Sequence, residues 1–454
     1  MRLAASLTAV LLAAAPVGAR AERLSVPYEM FRLPNGLTVI VHEDHSAPVA
    51  TVNCWYHVGS GRETPGRTGF AHLFEHLMFE GSKNVPEGAF DRWLEAVGGD
   101  NNGSTSEDRT NYWENVPPNA VEIPLFLESD RMGYLPDAMS PGKVDGQRDV
   151  VKNERRQGVE NQPYGKVEDV LPGALFPKGH PYSWPVIGSM EDLSAASYQD
   201  VVDFFRKWYG PGNASLVIAG DVDAKEVRAQ VEKWFSELPK SAAVEPTVPQ
   251  PVVLSEEKRI VLEDRVQLPR LYLAWVTPPG FSPADAALDA VAGILADGKN
   301  SRLYRRLVYD LQVAQDVSAR QQSSALASTF LVVVTARAGH TLDEIRGLVD
   351  EEVARLQKEP PSEREMTRFL NRTEASFLDR LERVGGFGGK ADRLNAYYFA
   401  TGNPDYFEED LARYRALAPG DVRAAASRFL GSGRVLISVV PEGKRDLAVA
   451  EVAR

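Results

Sequence analysis

Two histidines and a glutamate lie close together in the first fifth of the chain. His72, Glu75 and His76 form an H-x-x-E-H pattern, and histidines four residues apart lie on one face of a helix, about one turn from each other. Two imidazoles in this arrangement can bind zinc, and the adjoining carboxylate can activate water for hydrolysis. With 7 histidines in 454 residues, a chance occurrence has a probability on the order of one per cent. The pattern therefore predicts a zinc-dependent peptidase.

A catalytic zinc site needs a third protein ligand as well as an open position for water. Glu154 is the candidate, because it lies on a predicted helix in the segment DVVKNERRQ and follows two apolar valines. The alternative is a solvated glutamate that pairs with Arg155 and Arg156. Composition by itself favours this alternative, since most glutamates are exposed.

The segments around these residues resemble the pitrilysin/insulinase family of zinc peptidases, which includes the mitochondrial processing peptidases and smaller bacterial members. The matching segments are RTGFAHLFEHLMFEGS, VGGDNNGSTSEDRTNYW and VVKNERR. The resemblance covers most of residues 30–235, and the second half more weakly. It implies Zn²⁺ bound by His72, His76 and Glu154, because the family has its third ligand at this spacing. It also implies that Glu75 is the general base of peptide hydrolysis.

The resemblance assigns two further groups of residues. Where the family usually carries an acidic residue before the third ligand, this chain has Gln147, which can hydrogen-bond around the site but brings no charge. Another segment matches the family's edge strand, along which a substrate peptide adds through main-chain hydrogen bonds. An ordinary turn beside a strand is the alternative there, because asparagine and glycine are turn formers. The residues of this segment are Asn102, Gly103, Ser104 and Thr105.

The second half lacks a feature of the active family members, an arginine and a tyrosine seven residues apart that bind the substrate. Aligned on SRLYRRLVYDLQVAQDV, these positions are Val308 and Gln315. Val308 has no charge and Gln315 has no phenol. We therefore predict that this chain is the zinc-bearing subunit of a heterodimeric endopeptidase for unfolded peptides or small polypeptides. A second family subunit would supply the arginine and tyrosine.

Two alternatives to the heterodimer remain. The first is a homodimeric peptidase in which other residues, such as Arg302, Arg305 and Arg306, replace the missing pair. Against this, basic residues on a helix are usually a solvated face. The second is a non-catalytic, chaperone-like or assembly subunit that retains the fold. The presence of Glu75 argues against the second alternative, because a scaffold has no need of a general base.

The elements that must position these residues form a similar series in each half. Runs such as FRLPNGLTVIVHED alternate apolar and polar residues, as strands do. NASLVIAGD followed by AKEVRAQVEKWFSEL is strand, turn and amphipathic helix, and TFLVVVTARAGHTLDEIRGLVDEEVARLQ repeats that order. We predict an α+β fold of two homologous domains, each a mixed β-sheet covered by helices. The zinc-binding domain would span residues 22–238, a proline-rich linker 239–256, and the domain without the metal motif 257–454.

The N-terminus and the overall charge limit where the protein can act. Residues 1–21 have a basic start, an apolar stretch and an A-x-A ending at Ala21, which predicts a cleaved signal peptide and a periplasmic location. No later apolar run reaches the length of a membrane span.

The net charge of −12 argues against nucleic-acid binding, which needs clustered positive charge. The one cysteine, Cys54, cannot form an internal disulfide, and we expect it in a buried strand.

Overall fold

Two β-sheets, one in each half of the chain, organise the computed structural model, which describes residues 24–241, 244–245, 248 and 251–450. The first sheet has the strand order β1-β2-β6-β3-β5-β4. The β2 and β6 strands are parallel, and the other neighbours are antiparallel. Its strands are β1 (Glu29–Arg32), β2 (Thr38–Glu43), β3 (Ala50–Tyr56), β4 (Asp100–Thr105), β5 (Thr110–Val116) and β6 (Ala214–Gly220). Cys54 is buried in β3.

The second sheet repeats this arrangement with five strands. Its order is β7-β11-β8-β10-β9, and its last strand, β11, is parallel to β7, as β6 is parallel to β2 in the first sheet. Both sheets are therefore mixed, which confirms the predicted fold class. The strands are β7 (Lys258–Asp264), β8 (Arg270–Thr277), β9 (Ala314–Gln322), β10 (Ser328–Ala336) and β11 (Val435–Pro441).

Helices cover both sheets. In the first half they are α1 (Phe70–Leu77), α2 (Ala89–Glu95), α3 (Glu122–Ala138), α4 (Pro141–Arg155), α5 (Lys166–Leu175), α6 (Met190–Ala195), α7 (Tyr198–Trp208) and α8 (Ala224–Phe235). In the second half they are α9 (Asp285–Ala296), α10 (Leu342–Lys358), α11 (Glu363–Leu381), α12 (Lys390–Thr401), α13 (Phe407–Arg415) and α14 (Pro419–Phe429). Two π-helical turns, Arg156–Glu160 and Tyr304–Asp310, interrupt this regular pattern. Among the described residues, no helix has both the length and the apolar character that crossing a bilayer requires.

One helix of each half packs on the sheet of the other half. Helix α12 buries Leu394 and Tyr397 against Ile40 and Val217 of the first sheet. Helix α5 in turn buries apolar side chains against Ala274, Leu331 and Ile437 of the second sheet. Burial of these apolar surfaces stabilises the contact between the halves. The predicted signal peptide at 1–21 lies outside the described residues, and the division at the 239–256 linker stays a prediction.

A buried ion-pair cluster joins helix α3 to strand β5. The Arg131 side chain, 1% exposed, donates from Nη2 to Glu114 Oε1 at 3.0 Å and from Nε to Glu128 Oε2 at 2.9 Å. Its guanidinium carbon also lies 4.2 Å from the ring centroid of Tyr112. Although burial opposes charge on Arg131, the two carboxylates hold its pKa above the ordinary value. The arginine thus joins the carboxyl groups of Glu114 and Glu128 in the interior of the first half.

Replacing Arg131 by methionine is expected to lower the free energy of unfolding by about 3–5 kcal/mol, because it leaves two buried carboxylates without a counter-ion. Urea denaturation followed by circular dichroism measures the change. The control is Arg228→Ala, which breaks the exposed Arg228–Glu232 pair and is expected to cost less than about 1 kcal/mol. Equal effects of the two substitutions would contradict this account of the cluster.

Candidate metal centre

The N-terminus of helix α1 is held by a buried carboxylate. Glu63 accepts hydrogen bonds from the backbone N–H groups of Gly69 at 3.0 Å and Ala71 at 2.7 Å, so two donors that a helix start leaves unpaired are satisfied. Gly69 has a φ of +86°, and a side chain there would meet the Ile187 carbonyl oxygen at 2.7 Å. The helix begins at Phe70 for these reasons, two residues before the first histidine of the motif.

One face of α1 is buried, and this fixes the direction of the other. Leu73, Phe74 and Leu77 are fully buried in the core of the first half. The two histidines lie on the remaining face, with side chains 13% exposed for His72 and 24% exposed for His76. The spacing of the motif thus places its histidines together at the edge of the core, as the helical period requires.

Helix α4 brings Glu154 to these histidines. It begins at Pro141 after Ser140, whose side chain accepts from the Lys143 N–H, and it buries Val144 and Val151 in the core. Glu154 Oε2 then lies 3.2 Å from His76 Nε2 and 3.7 Å from His72 Nε2. The structure therefore brings together the three residues that the resemblance implied as ligands.

The geometry of these three residues fits zinc. Their candidate ligand atoms all lie within 4.8 Å of one another. Two ligand atoms about 2.0–2.1 Å from a tetrahedral zinc ion lie roughly 3.3 Å apart, close to both distances to Glu154. Two histidines and one carboxylate also form one of the usual catalytic zinc sets, with a fourth position left for water.

The protonation states fit a metal as well. Burial lowers the pKa of His72 to about 4, so the imidazole is neutral at pH 7 and its nitrogen lone pair is available to a metal. The hydrogen bond with His76 lowers the pKa of Glu154, which keeps its carboxylate ionised. Within the described residues, the buried His72 Nδ1 has no hydrogen-bond partner.

Glu75 contacts strand β4. Its Oε2 accepts a hydrogen bond of 2.6 Å from the Thr105 hydroxyl, and burial raises the pKa of Glu75. A side chain on Gly103 would meet Glu75 Cγ at 3.2 Å and the Tyr112 ring at 3.1 Å. The glycine therefore lets the backbone of β4 pass directly beside the carboxylate.

The four predicted substrate-binding residues lie on β4, at the end of the first sheet. Within the described part of the chain, β4 pairs only with β5, so its outer main-chain edge is available to another strand. The Ser104 hydroxyl donates to Asn111 Oδ1 at 2.6 Å, and Arg109 Nη1 donates to the Ser104 carbonyl at 2.7 Å. The Asn102 side chain accepts from the Gly103 N–H at 2.8 Å.

Gln147 contacts Glu80 and not the three candidate ligands. Its Nε2 donates to Glu80 Oε1 at 2.6 Å, and burial raises the pKa of Glu80. This acidic residue lies in the turn that follows α1, four residues after His76. Sequence analysis missed Glu80, because it lies in the turn after α1, where the helical spacing that relates the residues of the motif no longer applies.

A cleft of about 970 Å³ connects the site to the second half. His72, Glu154 and Thr105 lie on one wall, and the opposite wall carries Tyr272 and Arg320 of the second sheet. The positions of the missing pair lie elsewhere in that half. Val308 packs on the second core, and Gln315 is exposed at an irregularity of β9.

Two family models match the chain. "Insulinase (Peptidase family M16)" matches residues 38–184, which contain the three candidate ligands. "Peptidase M16 inactive domain" matches residues 195–372. Together they include every strand except β1 and β11.

Several curated proteins are similar over most of the chain. Zinc protease PqqE of Helicobacter pylori is 28% identical over 84% of this chain and 86% of that protein. An uncharacterized zinc protease of Streptomyces coelicolor, SCO5738, is 27% identical over 90% of this chain and 88% of its own length. The probable mitochondrial-processing peptidase subunit beta of Arabidopsis thaliana is 25% identical over 90% of this chain and 77% of its own.

Solved structures share the fold. A protease from Helicobacter pylori superimposes with a TM-score of 0.85 at 25% identity, over 92% of this chain and all of the other. The first half of the periplasmic protease PqqL from Escherichia coli gives a TM-score of 0.73 at 18% identity, over 91% of this chain and 92% of that one. At 18% identity the second likeness concerns the fold alone.

Glu154→Gln is expected to weaken zinc binding at least about tenfold, because the amide oxygen carries no charge for the metal. Competition with a zinc-chelating dye measures the dissociation constant. Glu160→Gln, on the following π-helical turn, is the matched control because Glu160 is exposed and is absent from the candidate ligand group. Zinc affinity that is unchanged in Glu154→Gln would exclude this residue as a ligand.

Proposed function

Because this chain belongs to the insulinase family of peptidases, family M16, we propose that it is the zinc-bearing subunit of a heterodimeric endopeptidase for unfolded peptides. One observation carries the proposal: three candidate zinc ligands and a separately held carboxylate meet beside the unpaired edge of β4. The relatives named zinc proteases support the same chemistry.

His72, His76 and Glu154 would hold the metal through two imidazole nitrogens and one carboxylate oxygen. Zinc bound there supplies Lewis-acid chemistry, polarising a peptide carbonyl and lowering the pKa of water. The protein's part is to keep His72 neutral and Glu154 ionised. Burial does this for His72, and the hydrogen bond from His76 does it for Glu154.

Glu75 would act as the general base and then as the general acid. One of its oxygens is held by the Thr105 hydroxyl, so the carboxylate has a defined orientation. Its raised pKa suits a group that must first take a proton from the attacking water and then give it to the leaving amine nitrogen. Proton transfer of this kind contributes about 10²–10⁴ to the rate of an enzyme.

Strand β4 would bind the substrate. An extended peptide can add to an unpaired sheet edge through main-chain hydrogen bonds that do not depend on its side chains. Asn102, Gly103, Ser104 and Thr105 form this edge beside Glu75, so an added peptide would lie next to the proposed base. Because such binding needs an extended backbone, unfolded polypeptides are the substrate class that it favours.

A second family subunit would complete the active site. Val308 packs on the core and Gln315 carries no phenol, so the arginine and tyrosine of active family members have no counterpart at these positions. Arg302 and Arg306 are engaged with Glu365 and Glu352, at 2.7 and 2.8 Å, and make poor substitutes. The relative named as a subunit beta supports a divided site.

The periplasm is the proposed location. The signal-peptide pattern of residues 1–21 supports it, as does the name of the similar structure, the periplasmic protease PqqL.

Glu75→Gln is expected to lower kcat by a factor of about 10²–10⁴ while zinc stays bound, because the amide cannot accept the proton of water. Cleavage of an unfolded casein peptide by the complex purified from the native source measures the rate. Glu95→Gln on helix α2 is the control, since Glu95 is exposed. Full activity of Glu75→Gln would rule out the proposed base.

The same assay separates the heterodimer from its alternatives. Hydrolysis that appears only when a co-purified second chain is added supports the divided site. Zinc-dependent hydrolysis by this chain alone, abolished by Glu75→Gln, would favour the homodimer. If metal analysis found no stoichiometric zinc bound to the purified chain, with or without the partner, the peptidase proposal itself would be contradicted.

Gly103→Ala is expected to reduce kcat/KM at least about tenfold with unchanged zinc content. The added methyl group would lie 3.2 Å from Glu75 Cγ, and displacement of a catalytic group by about 1 Å can cost a factor of about 100. Steady-state kinetics and metal analysis measure the two quantities. Gly146→Ala, where a side chain would meet nothing within 4 Å, is the control, and equal activity of both variants would contradict the role assigned to β4.

A further inference from the structure

Strand β4, which carries the proposed substrate edge, is held by side-chain contacts on both faces of the first sheet. Successive side chains of a strand point to opposite faces of its sheet. On one face the Thr105 hydroxyl donates to Glu75. On the other face the Ser104 hydroxyl donates to Asn111 Oδ1 at 2.6 Å. The main chain from Gly103 to Thr105 is therefore fixed from both sides, right beside the proposed base.

A closed ring of five side chains continues from Ser104 on this second face. Asn111 Nδ2 donates to Asp392 Oδ1 at 2.8 Å, and Trp55 Nε1 donates to the same oxygen at 3.0 Å. The guanidinium carbon of Arg109 lies 5.3 Å from the centroid of the Trp55 ring, within reach of a cation–π contact. Arg109 Nη1 then donates to the Ser104 hydroxyl at 2.6 Å and to its carbonyl at 2.7 Å. We call these residues the Ser104 ring.

Asp392 is the member of the Ser104 ring that the second half contributes. It lies in the first turn of helix α12, and its second oxygen accepts the Gly388 N–H at 2.8 Å. Three donors therefore fix the orientation of this carboxylate, and hydrogen bonds to an ionised group are the stronger ones. Burial lowers the pKa of Arg109, and the charge of Asp392 opposes that shift more than any other charge does.

The amide of Asn111 connects Asp392 to strand β4. Asn111 is fully buried, and its side chain uses the nitrogen as a donor to Asp392 and the oxygen as an acceptor from Ser104. An asparagine amide offers donors on one side and an acceptor on the other. Because the carboxylate of Asp392 attracts the nitrogen, the oxygen is presented to the Ser104 hydroxyl. Asp392 thus decides which group the side chain of Ser104 meets.

The alternative is that the Ser104 ring serves only to attach helix α12 to the first sheet. That attachment already has its own contacts, since Leu394 and Tyr397 are buried on the sheet and Asn395 Nδ2 donates to the Asn53 carbonyl at 2.9 Å. The ring extends further, through one residue each of β3, β5 and β4, to the outermost strand. An attachment of the helix would not need contacts that reach this strand.

We propose that Asp392 is a positioning residue, which holds β4 through Asn111 and Ser104 in the shape that an incoming peptide pairs with. The half without the metal motif would thereby set the affinity for the peptide. This inference rests on the proposed role of β4 as the substrate edge. A binding edge that is fixed in advance loses less conformational freedom when the peptide adds. Asp392 therefore acts on substrate binding, while the proton transfer by Glu75 keeps its own contact with Thr105.

Hydrogen exchange of the full chain, followed by mass spectrometry, tests the positioning without any need for activity. Asp392→Ala is expected to speed amide exchange in residues 100–106 by about tenfold, because local opening of β4 becomes easier. Lys390→Met is the matched control. It lies two residues earlier on the same helix and breaks the contact of Lys390 with Asp44, which is outside the ring. Unchanged exchange in Asp392→Ala, or an equal increase in both variants, would overturn the proposal.

Hydrolysis of the casein peptide by the complex tests the consequence for the substrate. Asp392→Ala is expected to raise KM at least about tenfold and to change kcat by less than about twofold, because the lost interaction is one of binding. Zinc content is expected to stay the same. A fall in kcat with unchanged KM would contradict a role in positioning the substrate edge.

A second variant shows whether Asp392 acts through Ser104. Ser104→Ala, at the edge of the sheet, is expected to fold and to raise KM as much as Asp392→Ala does. The double variant is expected to match either single variant, because both substitutions remove one shared chain of contacts. Additive effects on KM would refute that chain. If the wild-type complex hydrolysed no peptide, the proposed function would fail, and the exchange experiment would still decide the role of Asp392.

Discussion

The candidate site depends on the burial of one face of helix α1 in the core of the first half. Leu73, Phe74 and Leu77 have no freedom to rotate out of this core, because exposing them would forfeit most of their hydrophobic stabilisation. The helix is therefore fixed about its own axis. Its two histidines must face α4, and Glu75 must face β4. The two histidines and the proposed base therefore face different neighbours, although all three residues lie within about one helical turn.

The relation between the two halves rests on helices that each half contributes to the other. Helix α5 lies on the second sheet and helix α12 on the first. This exchange buries apolar surface on both sheets and holds the second sheet opposite the metal centre across the cleft. The cleft is consequently a product of the whole chain, although every candidate zinc ligand comes from its first half.

The second half has kept the fold while its chemistry differs from that of the first. At the positions of the arginine and tyrosine it has Val308, which serves the core, and Gln315, which is exposed at an irregular strand position. Helix α12 of this half instead places Asp392 against Trp55 and Asn111 of the first sheet.

Local periodicity determined what the sequence alone could reveal: the helix that carries H-x-x-E-H, the strand and helix order of both halves, and hence the fold class. The resemblance supplied Glu154, which composition would have left as a solvated residue. Tertiary structure alone decided that Thr105 holds Glu75, that Gly103 gives β4 its close approach, that Gln147 contacts Glu80, and that Asp392 of the second half contacts Asn111. Helical and strand periods report only neighbours within a few residues. Contacts such as Glu75–Thr105, 30 residues apart, depend on how helices and sheets pack, which no local pattern encodes.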